Sequence, residues 1–476
     1  MTVSRGSVHI AFVAALGGFL LGFDATVIAG TLPFLRHYYF GPAGGGGDVR
    51  LGIAISCLEW GAMIGNLSAG KLADRYGRRT ILQVTAALFL ASSILAATSR
   101  SYAMFVAARI IGGLGVGSAI LIAPMYIAEI APPGRRGMLV SVNQLMIVIG
   151  IAASSVSNWL LLPVGQDNWR WMLGIEAVPA IAFLLLLARV PESPRWLVLN
   201  GREERAREVM RTLGEPAADA QYDALRASIG ASRTSGFGSL RDRGIRRVLV
   251  FCIGLGVFQQ VTGINAVFYY LPVIFTKSTG SVVDAFWQTV VVGVVNVLMT
   301  LLAMRCIDRL GRRPLLLIGG LGMAASLLTI SAGFERGSTH AWLVLPAVIA
   351  YVASFAVSFG PIVWVLVSEL FPNRSRAIAI SVVGFCNSLS SAVVTFLFPW
   401  QFHRWGASDT FLGYAILAIS ATVFVARYAP ETRGRTLEEI EQSLRDGTLS
   451  GVGMKNARSN TLRWLKRTAC RLGIGA

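Results

Sequence analysis

GKLADRYGRR, residues 70–79, and MRCIDRLGRR, residues 304–313, are two versions of one short text, 234 positions apart. Two further motifs return at almost the same distance. Glu129, Pro132 and Arg136 recur as Glu369, Pro372 and Arg376, an offset of 240, and Pro191-Glu192 recurs as Pro430-Glu431, an offset of 239. In a chain of 476 residues, three offsets close to half the length mean that one unit has been used twice.

Each copy of the motif lies between long apolar stretches. Cutting the chain at every Asp, Glu, Lys and Arg leaves ten uncharged runs of 17 residues or more, from 6–23 to 410–426. Two more stretches, 51–70 and 171–188, are interrupted only by Glu59 and Glu176, which makes twelve. Each is long enough to cross a bilayer core as a helix. The chain is 54% hydrophobic and 14% charged, against about 25% charged in soluble proteins, so soluble, fibrous and disordered readings are excluded. Six spans precede residue 190 and six follow 247. Because six is even, both units enter the membrane from the same side, and their symmetry axis lies along its normal. The expected fold is an all-α membrane protein with twelve transmembrane helices in two six-helix bundles, related by a parallel pseudo-two-fold repeat. Its parts are expected at 1–189 (first bundle), 190–246 (short cytoplasmic linker helices), 247–428 (second bundle) and 429–476 (basic tail). A substrate site is expected between the halves.

The net charge of +18 follows from topology and needs no nucleic acid partner. With the N-terminus inside, Arg36, Arg50, Arg100, Arg170, Lys277, Arg336 and Arg404 fall outside and Arg109 within a span, leaving the other 35 of the 43 basic residues cytoplasmic. The first apolar segment, His9 to Leu35, reads as a retained span rather than a cleaved leader. Cys57, Cys252, Cys306, Cys386 and Cys470 stand singly, so neither a disulfide framework nor a metal site is expected. No nucleophile–base cluster suggests an enzyme, and no cofactor is implied.

Polar groups inside spans are costly unless they face a partner or a wet cavity. Such residues here are Gln144, Gln259, Gln260, Asn265, Tyr269, Tyr270, Asn296, Trp364 and Asn387. Carboxamides both donate and accept, as sugar hydroxyls do, and an indole suits the C–H face of a sugar ring. Gln260 and Asn265 diverge on a straight helix unless Gly263 lets the span bend. Asp24 and Arg109 lie at matching depth, roughly 12–16 Å below the outer surface at 1.5 Å per residue, where they can pair. Glu59 lies at about 13 Å by the same count, and either joins that site from the cavity or reaches the rim.

The motifs GFLLGFDATVIAG (18–30), ARIIGGLGVG (108–117), PMYIAEIAPPGRRG (124–137), NQLMIVIGI (143–151), VPESPRWL (190–197), QQVTGINAVFYYLP (259–272), GPIVWVLVSELFPNRSRA (360–377) and APETRGRTLEEIE (429–441) come in order around the two arginine-rich loops. Over residues 9–445 the chain thereby resembles the major facilitator superfamily, and within it the sugar porter family. The resemblance implies a sugar site lined by Gln144, Gln259, Gln260, Asn265, Asn296, Trp364 and Asn387, with Gly360 giving a broken helix beside Trp364. It implies a cytoplasmic latch of ion pairs from Asp74, Arg78, Glu129, Arg136, Glu192, Asp308, Arg312, Glu369, Arg376 and Glu431, and Glu176 is expected to join it. Asp24, with Arg109, resembles the proton site of symporters, where facilitators carry Asn. Ile151 replaces a glutamine of xylose-type porters and Ser388 a tryptophan of many relatives, which leaves the sugar open. The reading is uptake of a monosaccharide, hexose or pentose, with a proton by alternating access. The alternatives are an uncoupled facilitator or a sugar-sensing receptor. The expected setting is the cell membrane, both termini cytoplasmic, as a monomer, with Thr461–Leu472 an interfacial helix drawn to anionic lipid.

Overall fold

The computed structural model describes residues 5–41, 47–131, 136–213, 222–223, 225–226, 243–335, 342–371, 376–433 and 439. The side chains of Arg136, Asp308 and Arg376 and the segment 461–472 lie outside the described residues. Twelve helices among them are long and apolar enough to cross a membrane. In chain order, spans one to six are Ser7–Phe40, Gly47–Tyr76, Arg78–Ala97, Tyr102–Ile130, Gly137–Val164 and Asn168–Leu187. Spans seven to twelve are Gly244–Thr279, Val282–Ile307, Arg312–Glu335, Val344–Leu370, Ile378–Arg404 and Gly406–Tyr428. Helices are forced here because hydrocarbon offers no partner to a free backbone N–H or C=O.

Lipid tails do not drive apolar helices together, so close backbone approach supplies the contact. Spans two and four show how. A Cβ on Gly113 would come within 2.9 Å of the Gly61 Cα, so these backbones touch only because both residues lack one.

Two spans are interrupted. Span seven ends its first helix at Val261 and starts its second at Ile264. Gly263 between them has φ 91°, and the Tyr351 hydroxyl donates to the Thr262 carbonyl at 2.9 Å. The bend expected at Gly263 is present. Span ten breaks at Ser358, between Val344–Val357 and Phe359–Leu370, two residues before the expected Gly360, which is itself helical. The cause is Pro361, which has no N–H for the Val357 carbonyl and whose ring crowds it.

The bundles meet along a seam. The Gly52 backbone faces the Phe396 carbonyl, Asp48 pairs with His403 Nδ1 at 3.0 Å, and the Trp159 and Trp287 rings stand 5.5 Å apart. All these contacts lie in the half of the molecule remote from Arg78 and Arg312, and there the seam is shut. At the arginine-rich face the linker helix Pro194–Leu199 docks on the first bundle, its Trp196 indole donating to the Asp74 carbonyl at 2.9 Å.

Candidate functional site

At the arginine-rich face the repeat is visible in atoms. The Glu192 carboxylate sits at the N-terminus of span three and accepts from the backbone N–H groups of Arg78 at 2.9 Å and Arg79 at 3.1 Å. Glu431 does the same for Arg312 and Arg313, both at 3.1 Å, at the start of span nine. The free N–H groups and dipole of a helix start favour an anion. The Arg78 guanidinium reaches both oxygens of Glu129, at 3.1 and 3.2 Å, and Asp74 at 3.1 Å. Arg312 donates to Glu369 at 2.8 Å, whose other oxygen accepts from the Thr432 hydroxyl at 2.6 Å. These ion pairs stay within one bundle each. In this conformation they lock neighbouring spans together and do not join the halves.

Deeper in the second bundle the carboxamides gather. Gln259 Nε2 donates to the carbonyls of Phe359 at 2.8 Å and Gly360 at 3.2 Å, just past the break in span ten. Asn387 Nδ2 donates to Gln259 Oε1 at 2.8 Å and to the Gly256 carbonyl at 2.9 Å, while Gln260 Nε2 donates to Asn387 Oδ1 at 3.1 Å. Asn265, across the break in span seven, donates to the Ser391 hydroxyl at 2.8 Å. Trp364 is half-buried beside Gly384. Gln144 on span five is half-buried and Asn296 on span eight is buried, and among the described residues neither bonds to this cluster.

Within the first bundle, Arg109 pairs with the Asp24 carboxylate and also donates to the Asp24 carbonyl at 3.1 Å. Both side chains are at most 1% exposed. The pairing expected from depth is present. Glu176, 2% exposed, lies within electrostatic reach of both. This corrects its placement with the arginine-rich clusters. Span six enters from the opposite face at Asn168, so Glu176 sits about two turns below that end. Asp24 Oδ2, Glu176 Oε1 and Arg109 Nε are buried without a hydrogen-bond partner, so the trio is polar and only partly satisfied.

Residues 10–444 match the family model for sugar (and other) transporters. The chain belongs to this sugar transporter family. It is similar to the D-xylose-proton symporter of Escherichia coli, 36% identical with 91% of this chain and 94% of the relative covered. It is likewise similar to the arabinose-proton symporter of Bacillus subtilis, at 37%, with 91% and 94% covered. The partially occluded, inward-open structure of the xylose transporter from E. coli superimposes with a TM-score of 0.81 at 34% identity, covering 90% of this chain and 99% of that one. The fold is therefore that of the major facilitator superfamily. The family's members are transporters, so this chain is a carrier rather than an enzyme.

Sequence reasoning missed Ser391 and left the surroundings of Glu59 open. Ser391 is one ordinary hydroxyl among many, and only its contacts single it out. Glu59 was legible as an anomaly but not as a contact. The Tyr269 and Ser391 hydroxyls both donate to its Oε1, each at 2.9 Å, and it is 8% exposed. It therefore faces the other bundle and not the rim.

Proposed function

We infer that this multi-pass protein of the cell membrane carries a monosaccharide, a hexose or pentose, inward with a proton by alternating access. The relatives named as xylose-proton and arabinose-proton symporters support that reading. The observation that carries the coupling is the sealed trio of Asp24, Arg109 and Glu176. Two carboxyls and one guanidinium cannot neutralise one another, and an unbalanced buried charge is strongly unfavourable, so the trio is balanced only when it holds one proton. An uncoupled facilitator has no need of such a group.

The arginine-rich face is cytoplasmic by its excess of positive charge, which puts both termini inside. The sugar would sit between the halves against Gln144, Gln259, Gln260, Asn265, Asn296 and Asn387, with Trp364 against its C–H face. The Arg78 and Arg312 clusters would stiffen each bundle as it rocks. The carrier would act as a monomer, and the basic tail would rest on anionic lipid. Uptake of a panel of labelled monosaccharides into proteoliposomes, with and without an inward proton gradient, tests this. Accumulation above the external concentration only with the gradient is expected. Mere equilibration under every gradient would restore the facilitator.

A further inference from the structure

Glu59, Gly52 and Asn66 are spaced seven residues apart on span two, so they lie on one face, about 10 Å from one to the next. That face meets span eleven at three levels. Gly52 faces the Phe396 carbonyl, Glu59 takes a hydrogen bond from Ser391, and Asn66 lies against Gly384. The outermost and innermost levels are close packing at a glycine. Only the middle one is a side-chain carboxyl acceptor, and it draws in a second helix as well, through Tyr269 on span seven. Ser391 is itself doubly used, since it accepts from Asn265 at 2.8 Å and donates to Glu59 at 2.9 Å.

We propose that Glu59 is a positioning residue of the carrier, a clasp on the first bundle that closes the outer seam by accepting from Tyr269 and Ser391 and, through Ser391, aligns Asn265. The term outer and the role of Asn265 rest on the function proposed above. A carboxyl suits the task because its oxygen accepts two aligned hydrogen bonds when dry, yet water replaces them fully once the seam opens. An apolar contact at this level would resist wetting and bias the carrier toward the shut state. With the donors on spans seven and eleven and the acceptor on span two, the contact exists only when the bundles are together at this end. It also links the seam to the carboxamide cluster through one hydroxyl, so that closing the seam and ordering Asn265 are one event.

The test uses the full chain with its five native cysteines replaced and a single reporter, Phe396→Cys, in proteoliposomes treated from outside with a membrane-impermeant maleimide. Glu59→Ala removes the acceptor of two buried hydrogen bonds and should speed labelling about tenfold or more. Glu59→Gln keeps one acceptor oxygen and should fall between it and the parent, and Tyr269→Phe and Ser391→Ala should shift labelling in the same direction. In transport, Glu59→Ala should raise KM more than it lowers kcat, with Glu59→Gln partly restoring KM. A residue needed only for folding would lower the yield of monodisperse protein without changing the labelling rate of what folds. Parental labelling rates in both Glu59→Ala and Tyr269→Phe would overturn the clasp, and an unchanged KM in Glu59→Ala would overturn the alignment of Asn265. Labelling needs no sugar, so its outcome stands apart from any failure of the substrate reading.

Discussion

Asp24 is held by Arg109 through two contacts, one to its carboxylate and one to its own carbonyl, so the side chain has little freedom to leave. Asp24→Asn keeps the shape and removes the charge. We expect the variant to exchange labelled sugar across vesicles in counterflow while losing accumulation driven by a proton gradient. Retained accumulation would move the proton to another group, with Glu176, whose Oε1 is buried and unbonded, next in line. In the carboxamide cluster, Gln259→Ala removes donors to two carbonyls and the acceptor of Asn387. It should weaken sugar binding by about 1–3 kcal/mol, read by titration with the transported sugar. The Asp24–Arg109 pair was legible in the sequence because depth along a helix is simple arithmetic at 1.5 Å per residue. The partners of Glu59 were not, since 210 and 332 residues separate it from Tyr269 and Ser391, and helix rotation decides which neighbour it meets.

At the scale of elements, the turn from span two into span three depends on Gly77. Its φ of 101° and ψ of 155° belong to a region essentially reserved for glycine, and a Cβ there would also strike the Glu192 carboxylate. Gly70, about two turns earlier on span two, would meet nothing closer than a Leu121 methyl at 3.6 Å. Gly77→Ala should therefore cost about 1–3 kcal/mol and lower the melting temperature in detergent, while Gly70→Ala leaves it near the parent. Equal melting temperatures would mean that the loop relaxes freely. This glycine could be read from the repeated D-R-x-G-R-R text, and the twelve spans from the long uncharged runs. The break in span ten could be read only roughly. The resemblance pointed to Gly360, but Pro361 acts on the carbonyl four residues back and so sets the interruption at Ser358.

For the whole molecule, one charge crossing 100 mV represents about 2.3 kcal/mol, enough for roughly fiftyfold accumulation of a sugar moved with one proton. Proteoliposomes with an inside-negative potential should approach that limit, and a plateau at equal concentrations would exclude symport. The duplicated sequence showed that the carrier is two like bundles. It did not show which end is closed, because the repeat describes each bundle by itself and closure lies along the seam between them.

The touching backbones of Gly61 and Gly113 make spans two and four a single plate. Glu59 and Arg109 ride on that plate, so the interval between them is a fixed ruler. Spin labels placed on spans two and four should report one narrow distance under every condition. A pair on spans two and eleven should report two, whose populations shift with sugar and pH.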